Sequence, residues 1–463
     1  MVHIPQRQGL CVLTLFATAP LLGLVAAHPE ELTQERVQNI AIIGAGAAGS
    51  SAAYHLRRFA EDEGVPINVT IFESRGRAGG RTRTVNVYDD PLQPVEQGAS
   101  IFVRVNTILY DAVQEFGLQL VKDDDGVEER LVIWDGETFR YEQNEGSSKW
   151  WNYAKLFWKY GMTPLKAKRL VDSTIGRFLE LYDEPHFPFT SLTQAAIDLD
   201  LVKLTGITGG QFLQESGIGL DFSRDIIQAA TRVNYATNLA HIHGLEAMVS
   251  MAPDGAMQVA GGNWQIFANM VRASNASFLY ETAVTSLELQ KSSTVDNAAP
   301  KYILSTKATG PRARGDSKAE PGSDAAGKAG FFSVSTLRRV KNPKTRQTEY
   351  LYKVFSPEVV DPDFLSRLLG VEVPSTFTGR GPTTDDEPIS WYHPTCLTRN
   401  GLYYTSGIES FISTMETSAL MGKNVAKLIV NELAGKDEAL GGSQKGSSED
   451  DASSSSPGPQ DEL

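Results

Sequence analysis

The run Gly44-Ala45-Gly46-Ala47-Ala48-Gly49 follows an apolar stretch ending at Ile43 and precedes a stretch of small residues. It has the form G-x-G-x-x-G, set between a predicted strand (Val37–Ile43) and a predicted helix (Ala47–Ala60). In that setting Gly44 permits a tight turn, Gly46 lets backbone amides approach a pyrophosphate, and Gly49 lets the helix pack close to the sheet. The helix N-terminus then stabilises the diphosphate charge. Glu73 closes the next predicted strand (Val65–Glu73), where a carboxylate can accept from ribose hydroxyls, and Ser74 and Arg75 follow it. The pattern reads as a dinucleotide site. The plainer alternative, a glycine-rich turn without a ligand, lacks a use for the acid.

Two further motifs select the dinucleotide. Arg77-Ala78-Gly79-Gly80-Arg81-Thr82-Arg83-Thr84 has the form R-x-G-G-R-x-x-[ST]. It resembles the downstream signature of glutathione-reductase-like flavoproteins. Paired glycines allow close backbone approach, and arginine offers forked donors to phosphate. The resemblance implies FAD, with Gly79, Gly80 and Arg81 near the phosphates and the Glu96–Ser100 segment, including Gly98, near the flavin. Near the other end, Gly401 to Glu409 reads as strand then turn, followed by a helix carrying Met415 and Glu416. It resembles the strand-Gly-acid-helix element with which flavoproteins of that group end, and the resemblance implies Gly407, Glu409 and Met415 at the cofactor, where the helix N-terminus suits negative charge on reduced flavin. An ordinary amphipathic terminal helix is the alternative.

These motifs require a crossover unit, strand, glycine-rich turn, helix, parallel strand, to hold them. The fold class expected is α/β: a Rossmann-type FAD-binding domain (glutathione-reductase-like) with an interleaved α+β substrate domain. The division is 36–105 and 395–433 for the FAD-binding domain, and 106–290 and 331–394 for the substrate domain. Apolar and aromatic spacing predicts helix from Trp150 to Asp172, a helix then a strand over His241–Val259, a helix over Gly262–Ser274, strand character over Phe278–Leu289, and a closing helix over Glu409–Leu433. Residues 291–330 are rich in Ser, Ala, Gly, Pro and charge and read as a low-complexity linker, with loop over 291–300 and 307–330; residues 434–463 read as a disordered tail. Arg314-Gly315-Asp316 falls in the linker and reads as chance.

At 463 residues the chain suits two interleaved domains, and 41% hydrophobic with 21% charged residues is ordinary for an enzyme. A net charge of -13 argues against nucleic acid as a partner. The two cysteines, Cys11 and Cys396, offer no Cys/His cluster and hence no metal site; Cys396 reads as a structural thiol rather than a nucleophile. Residues 1–27 read as a secretory signal peptide, with an uncleaved anchor helix as the alternative. No later segment is long and apolar enough to span a membrane; peripheral contact stays open, as does oligomeric state. Asn68-Val69-Thr70 and Asn275-Ala276-Ser277 are glycosylation sequons. Asn275 is favoured, because Asn68 falls inside a predicted strand. The final Gln460-Asp461-Glu462-Leu463 is close to an ER-retrieval signal.

A closer resemblance rests on Ile40–Gly46, Gly49, Ser51–Arg57, Arg232-Val233-Asn234-Tyr235, Gly261-Gly262-Asn263, Trp150–Tyr160, Leu402–Tyr404, Gly407–Glu409, Met415-Glu416 and Ser418-Ala419. Together they resemble the prenylcysteine oxidases over most of 36–290 and 350–433. The resemblance implies an FAD thioether oxidase acting on S-farnesyl- or S-geranylgeranylcysteine: hydride leaves the prenyl C1 carbon for flavin N5, water adds, and a prenyl aldehyde and cysteine separate. O₂ then reoxidises the flavin to give H₂O₂. It also implies a lysosomal or vacuolar address. The sequence offers no nucleophile or triad, and no catalytic side chain is assigned. Arg232 is the candidate contact for the substrate carboxylate, from its fork geometry and its neighbourhood. The aromatics of Trp150–Tyr160 either line a prenyl tunnel or pack in the core. The chain departs from the family after Thr306, where a returning strand and part of the substrate domain are replaced by low-complexity sequence. That departure predicts an uncovered sheet edge. An amine oxidase-like flavoprotein and a non-catalytic prenyl-binding paralogue are the competing readings.

Overall fold

The computed structural model describes residues 37–121, 130–134, 137–144, 149–252, 255–290, 301–309, 326, 329–357, 360–370, 397–399 and 401–436. The leader, Cys396, most of the linker and most of the tail lie outside these residues. Along the chain run β1 (Gln38–Ile43), α1 (Ala47–Glu63), β2 (Ile67–Phe72), β3 (Thr84–Asn86), β4 (Pro94–Glu96), α2 (Thr107–Glu115), β5 (Arg130–Trp134) and β6 (Phe139–Asn144). A helical region follows: α3 (Lys149–Tyr160), α4 (Thr163–Leu179), α5 (Leu192–Asp198), α6 (Val202–Thr205), α7 (Gly209–Glu215), α8 (Leu220–Phe222), α9 (Gln228–Tyr235), α10 (Gly244–Val249) and α11 (Trp264–Ala273). Then come β7 (Ser277–Leu279), β8 (Thr282–Gln290), β9 (Lys301–Ala308), β10 (Ser333–Lys341), β11 (Thr348–Phe355), α12 (Pro362–Leu369), β12 (Leu397–Arg399), β13 (Leu402–Tyr403) and α13 (Met415–Leu433).

The crossover unit forms as its sequence predicts. β1 and β2 are parallel, from Gln38 beside Ile67 to Ile43 beside Phe72, and β7 adds on the far side of β2, also parallel. The fold is thus a Rossmann-type α/β unit. Its small-residue helix lets two helices meet closely: Ser50, Ser51, Ala52 and Ala53 are buried, and the Ser51 hydroxyl donates to the Ala419 carbonyl at 2.7 Å. A Cβ at Gly422 of α13 would fall inside the carbonyl oxygen of Ala48, so only glycine allows α13 to lie on α1. Ala53, Leu56, Val69, Ile71, Val271, Ala426 and Val430 form the core of this unit. A larger core is built from the helices between α2 and α11 together with the start of α13.

Several predicted boundaries shift for local reasons. The stretch Trp150–Asp172 is two helices, because Gly161 takes a left-handed φ of 60° between them. Phe278–Leu289 is likewise two strands, turned at Glu281 with φ 50°. The predicted strand before Val259 is reduced to isolated bridges, Met257 to Phe102 and Val259 to Leu120. Loop was expected from Lys307, but Lys307 and Ala308 complete β9, which pairs antiparallel with β8. The closing helix starts at Met415 rather than Glu409: Ser406–Ser410 makes a tight 3₁₀ turn, and Thr414 caps the helix in a reciprocal capping box with Thr417.

Among the described residues β1 has no strand partner other than β2. Asn39, Ala41 and Ile43 are exposed along it, and Ile43 keeps 55% of its surface. A first Rossmann strand is ordinarily buried on both sides. This is where the departure after Thr306 predicts an uncovered edge. Thr309, just past β9, donates from its amide to the Glu281 carbonyl at 2.6 Å and from its hydroxyl to the Ser74 carbonyl at 2.5 Å.

Candidate functional site

The glycine-rich turn is held by its neighbours before any ligand is considered. The Gly44 amide donates to the Phe72 carbonyl at 2.7 Å and tethers the turn to β2. A Cβ at Gly49 would fall inside the carbonyl oxygen of Gly44, so the helix can begin this close to the strand only with glycine there. Gly46 caps α1 and contributes no side-chain bond, which leaves the first-turn amides of Ala47 and Ala48 for another acceptor. The Gly79 amide donates to the Ala45 carbonyl at 2.8 Å, and a Cβ at Gly80 would sit 3.0 Å from Gly46 Cα. The two glycine motifs, separated in sequence, make one cradle.

Glu73 lies at the end of β2 with 6% of its surface exposed. One oxygen accepts the Ala45 amide and the other the Arg75 amide, both at 2.8 Å, and the Ser74 hydroxyl lies 3.4 Å from the latter. A carboxylate has about four lone-pair sites, so two backbone donors fix its orientation and leave capacity for ribose hydroxyls. Arg77 does not face outward: its guanidinium bonds the carbonyls of Gly80 at 3.0 Å and Thr82 at 3.3 Å and stiffens its own loop, and burial lowers its pKa. Arg75 reaches the Gly80 carbonyl at 3.3 Å.

Arg81 leaves this cradle and forms an ion pair with Glu409. That contact brings the 3₁₀ turn containing Gly407 against the phosphate loop. Just beyond it, Met415 is buried at the start of α13. The Thr414 cap takes the Thr417 amide, so the Met415 and Glu416 amides have no partner among the described residues. A 19-residue helix thus presents its positive end beside the cradle. Gly98 follows β4, and the Gln97 amide donates to Arg83 at 2.8 Å, which ties that segment to the same loop. A diphosphate at one glycine pair, a ribose at Glu73 and a negative ring at a second helix terminus are the needs of FAD, and the residues fit it.

Several buried polar groups behind the site escape a reading of the sequence. Asn263, fully buried, donates from its side chain to the Ser100 carbonyl at 3.0 Å, and its backbone amide meets Glu96 at 2.6 Å. Glu416 accepts the amides of Ile108 and Leu109, both at 3.0 Å, and burial raises its pKa to about 7. Glu246, also pushed up to about 7 by burial, accepts the Ser413 amide at 3.2 Å, and His243 beside it is lowered to about 4. Asn424 grips Phe189 through both amide and carbonyl at 2.8 Å. The family-like Gly261-Gly262-Asn263 and Met415-Glu416 are the signals in the sequence that point toward two of these groups.

Arg232 lies on α9. Its Nε donates to Asn238 at 2.7 Å, an Nη to the Ala326 carbonyl at 3.4 Å, and its guanidinium lies 5.7 Å over the Phe332 ring. It is therefore beside the start of the β10–β11 hairpin. In α3, Phe157 and Trp158 are 60% and 92% exposed, so these two neither pack in the core nor line a closed tunnel; the side chains of Trp150, Trp151 and Tyr153 lie outside the described residues. Both sequon asparagines are exposed, Asn68 on β2 and Asn275 just past α11. Among the described residues no group of three metal-ligating side chains occurs, and no helix is long and apolar enough to cross a membrane.

Comparison with known proteins agrees with this geometry. A model of the NAD(P)-binding Rossmann-like domain matches residues 42–116. The prenylcysteine lyase model matches 143–316 and 297–441, two stretches that overlap where the low-complexity sequence lies. A farnesylcysteine lyase of Arabidopsis thaliana is 27% identical, with 88% of this chain and 90% of that protein aligned. Prenylcysteine oxidase 1 of Bos taurus is 31% identical over 58% of this chain, and the chain spans about half, 51%, of that relative's length. Among solved structures a putrescine oxidase variant aligns with a TM-score of 0.38 and 20% identity over 58% of this chain and 55% of its own, too slight a likeness to bear on function. With an N-terminal dinucleotide cradle and a family match running through most of the remainder, the chain belongs to the prenylcysteine lyase family.

Proposed function

We propose that this chain is an FAD-dependent oxidase of S-prenyl-L-cysteine. With O₂ and water it converts the thioether into a prenyl aldehyde, free cysteine and H₂O₂, as a step in the breakdown of prenylated proteins. Bound FAD supplies the two-electron acceptor for the carbon attached to sulfur. The first-turn amides of α1 would hold the diphosphate, Glu73 would orient the ribose, and the Met415 and Glu416 amides would favour negative charge on the ring. No side-chain nucleophile is needed.

The observation that carries this reading is the meeting of Arg81 with Glu409, which joins the cofactor loops to the C-terminal family segment. Aerobic incubation of the FAD-loaded chain with S-farnesyl-L-cysteine tests it. Farnesal, cysteine and H₂O₂ in equal amounts are expected. Ammonia in place of cysteine would move the chemistry to the C–N bond and contradict it. For location we infer the lumen of the secretory pathway; the exposure of Asn68 and Asn275 supports it, and loss of apparent mass on N-glycan removal from the cell-made protein is the check.

A further inference from the structure

The segment beside the flavin end of the cradle holds two charged groups that do not satisfy one another. Glu96 ends β4 with 8% of its surface exposed. Its Oε1 accepts the Asn263 amide at 2.6 Å, but its Oε2 is buried with no hydrogen-bond partner among the described residues. A buried carboxylate oxygen without a donor is costly and rarely kept without a use. Lys353 reaches the same segment from β11, where it stands opposite Ser335 of β10. Its ammonium is 3.5 Å from the Ser100 hydroxyl and 4.8 Å over the Phe355 ring, a weak set of partners for three donors. Burial pushes Glu96 up to about 7 and lowers Lys353, while each charge partly stabilises the other. An acceptor and a cation, both desolvated, thus meet at one segment without forming an ion pair among the described residues.

That is the complement of an amino-acid zwitterion. We propose that Glu96 and Lys353 hold the amino-acid head of the substrate, Glu96 Oε2 accepting from the α-ammonium and Lys353 Nζ donating to the α-carboxylate. The assignment rests on the prenylcysteine reading and adds the residues that select a free amino acid from other thioethers. Arg232 has its guanidinium engaged by Asn238 and Ala326 and stacks over the ring of Phe332, the residue just before the hairpin that carries Lys353.

The test is calorimetric binding to the FAD-loaded full chain, before any turnover, for Lys353→Met, Lys353→Arg and Glu96→Gln. Three ligands are compared: S-farnesylcysteine, its methyl ester and 3-(farnesylthio)propanoate, which lacks the amine. Lys353→Met should weaken the free acid about tenfold and leave the ester within about twofold, with recovery in Lys353→Arg. Glu96→Gln should weaken both amine-bearing ligands about tenfold and leave the propanoate within about twofold. Flavin absorbance and melting temperature report whether each variant is folded; the near-isosteric Glu96→Gln and the charge-keeping Lys353→Arg remain informative if Lys353→Met is not. Equal weakening of all three ligands would overturn the assignment, as would unchanged binding with only slower flavin bleaching. If the wild-type chain binds none of the three, the prenylcysteine reading falls as well; binding that ignores the two substitutions removes the head-group assignment alone.

Discussion

Arg81 and Glu409 are 328 positions apart and share an ion pair that closes the cofactor cradle against the C-terminal turn. Their side chains keep 56% and 33% of their surface, so the pair sits at the mouth of the site and contributes little to overall stability. Its effect falls on the ligand. Glu409→Gln or Arg81→Ala should weaken FAD retention about tenfold, while the melting temperature of the flavin-free chain stays nearly constant. Fluorescence titration of apoprotein with FAD measures the first and calorimetry the second.

Substitution in the cradle should act more sharply. Gly46→Leu places a side chain where Gly46 and Gly80 approach each other and where the diphosphate must come. The purified variant should carry no flavin absorbance near 450 nm (about the usual position for oxidised flavin). Full flavin content would show that the pyrophosphate lies elsewhere.

Glu416 caps α2 from another part of the chain. Glu416→Ala removes the acceptor of two buried amides, Ile108 and Leu109, and should cost about 2–5 kcal/mol in stability. Glu416→Gln keeps one acceptor and should cost less. Denaturant unfolding of the apoproteins decides between this capping role and an incidental contact.

Buried acids give the chain a pH signature. Glu246 ionises in the unfolded chain near its ordinary value of 4.5 but in the folded chain near 7. Between those values the folded state holds the extra proton, so stability falls as pH rises through this window. Glu96 and Glu416 act in the same direction. His55 and His243, both lowered to about 4, oppose them, because stability rises as pH passes from about 4 to 6.5. In Glu246→Gln the acid's contribution is gone. Relative to wild type, the variant's melting temperature should therefore improve from pH 5 to pH 8. A constant difference across that range would contradict the buried, protonated state of Glu246.

The cofactor half of the site was legible because its signals are local. Strand, glycine turn, helix and acid follow within 36 residues of sequence, from Gln38 to Glu73, and each constrains the next. The paired glycines and the Gly407–Met415 element were legible as motifs, yet their meeting through Arg81 and Glu409 was not, since nothing in either segment encodes its partner. The third strand illustrates the same limit: Phe278 has strand character, but its pairing with Ile71 depends on some two hundred intervening residues folding first. Glu246 with Ser413, and Asn424 with Phe189, are single polar contacts at separations of 167 and 235 positions and leave no periodic trace. Aromatic spacing in α3 misled for another reason. It marks a helix correctly, but periodicity alone does not say which face is buried, and Trp158 faces solvent.

The central claim is that one chain binds FAD and oxidises prenylcysteine although, among the described residues, β1 pairs with β2 alone. The most direct test is the anaerobic visible spectrum of the purified protein before and after S-farnesylcysteine is added. The account predicts an oxidised flavin band that bleaches on addition and returns when O₂ is admitted. A flavin band unaffected by S-farnesylcysteine would contradict the substrate assignment, and the absence of any flavin band would contradict the cofactor site itself.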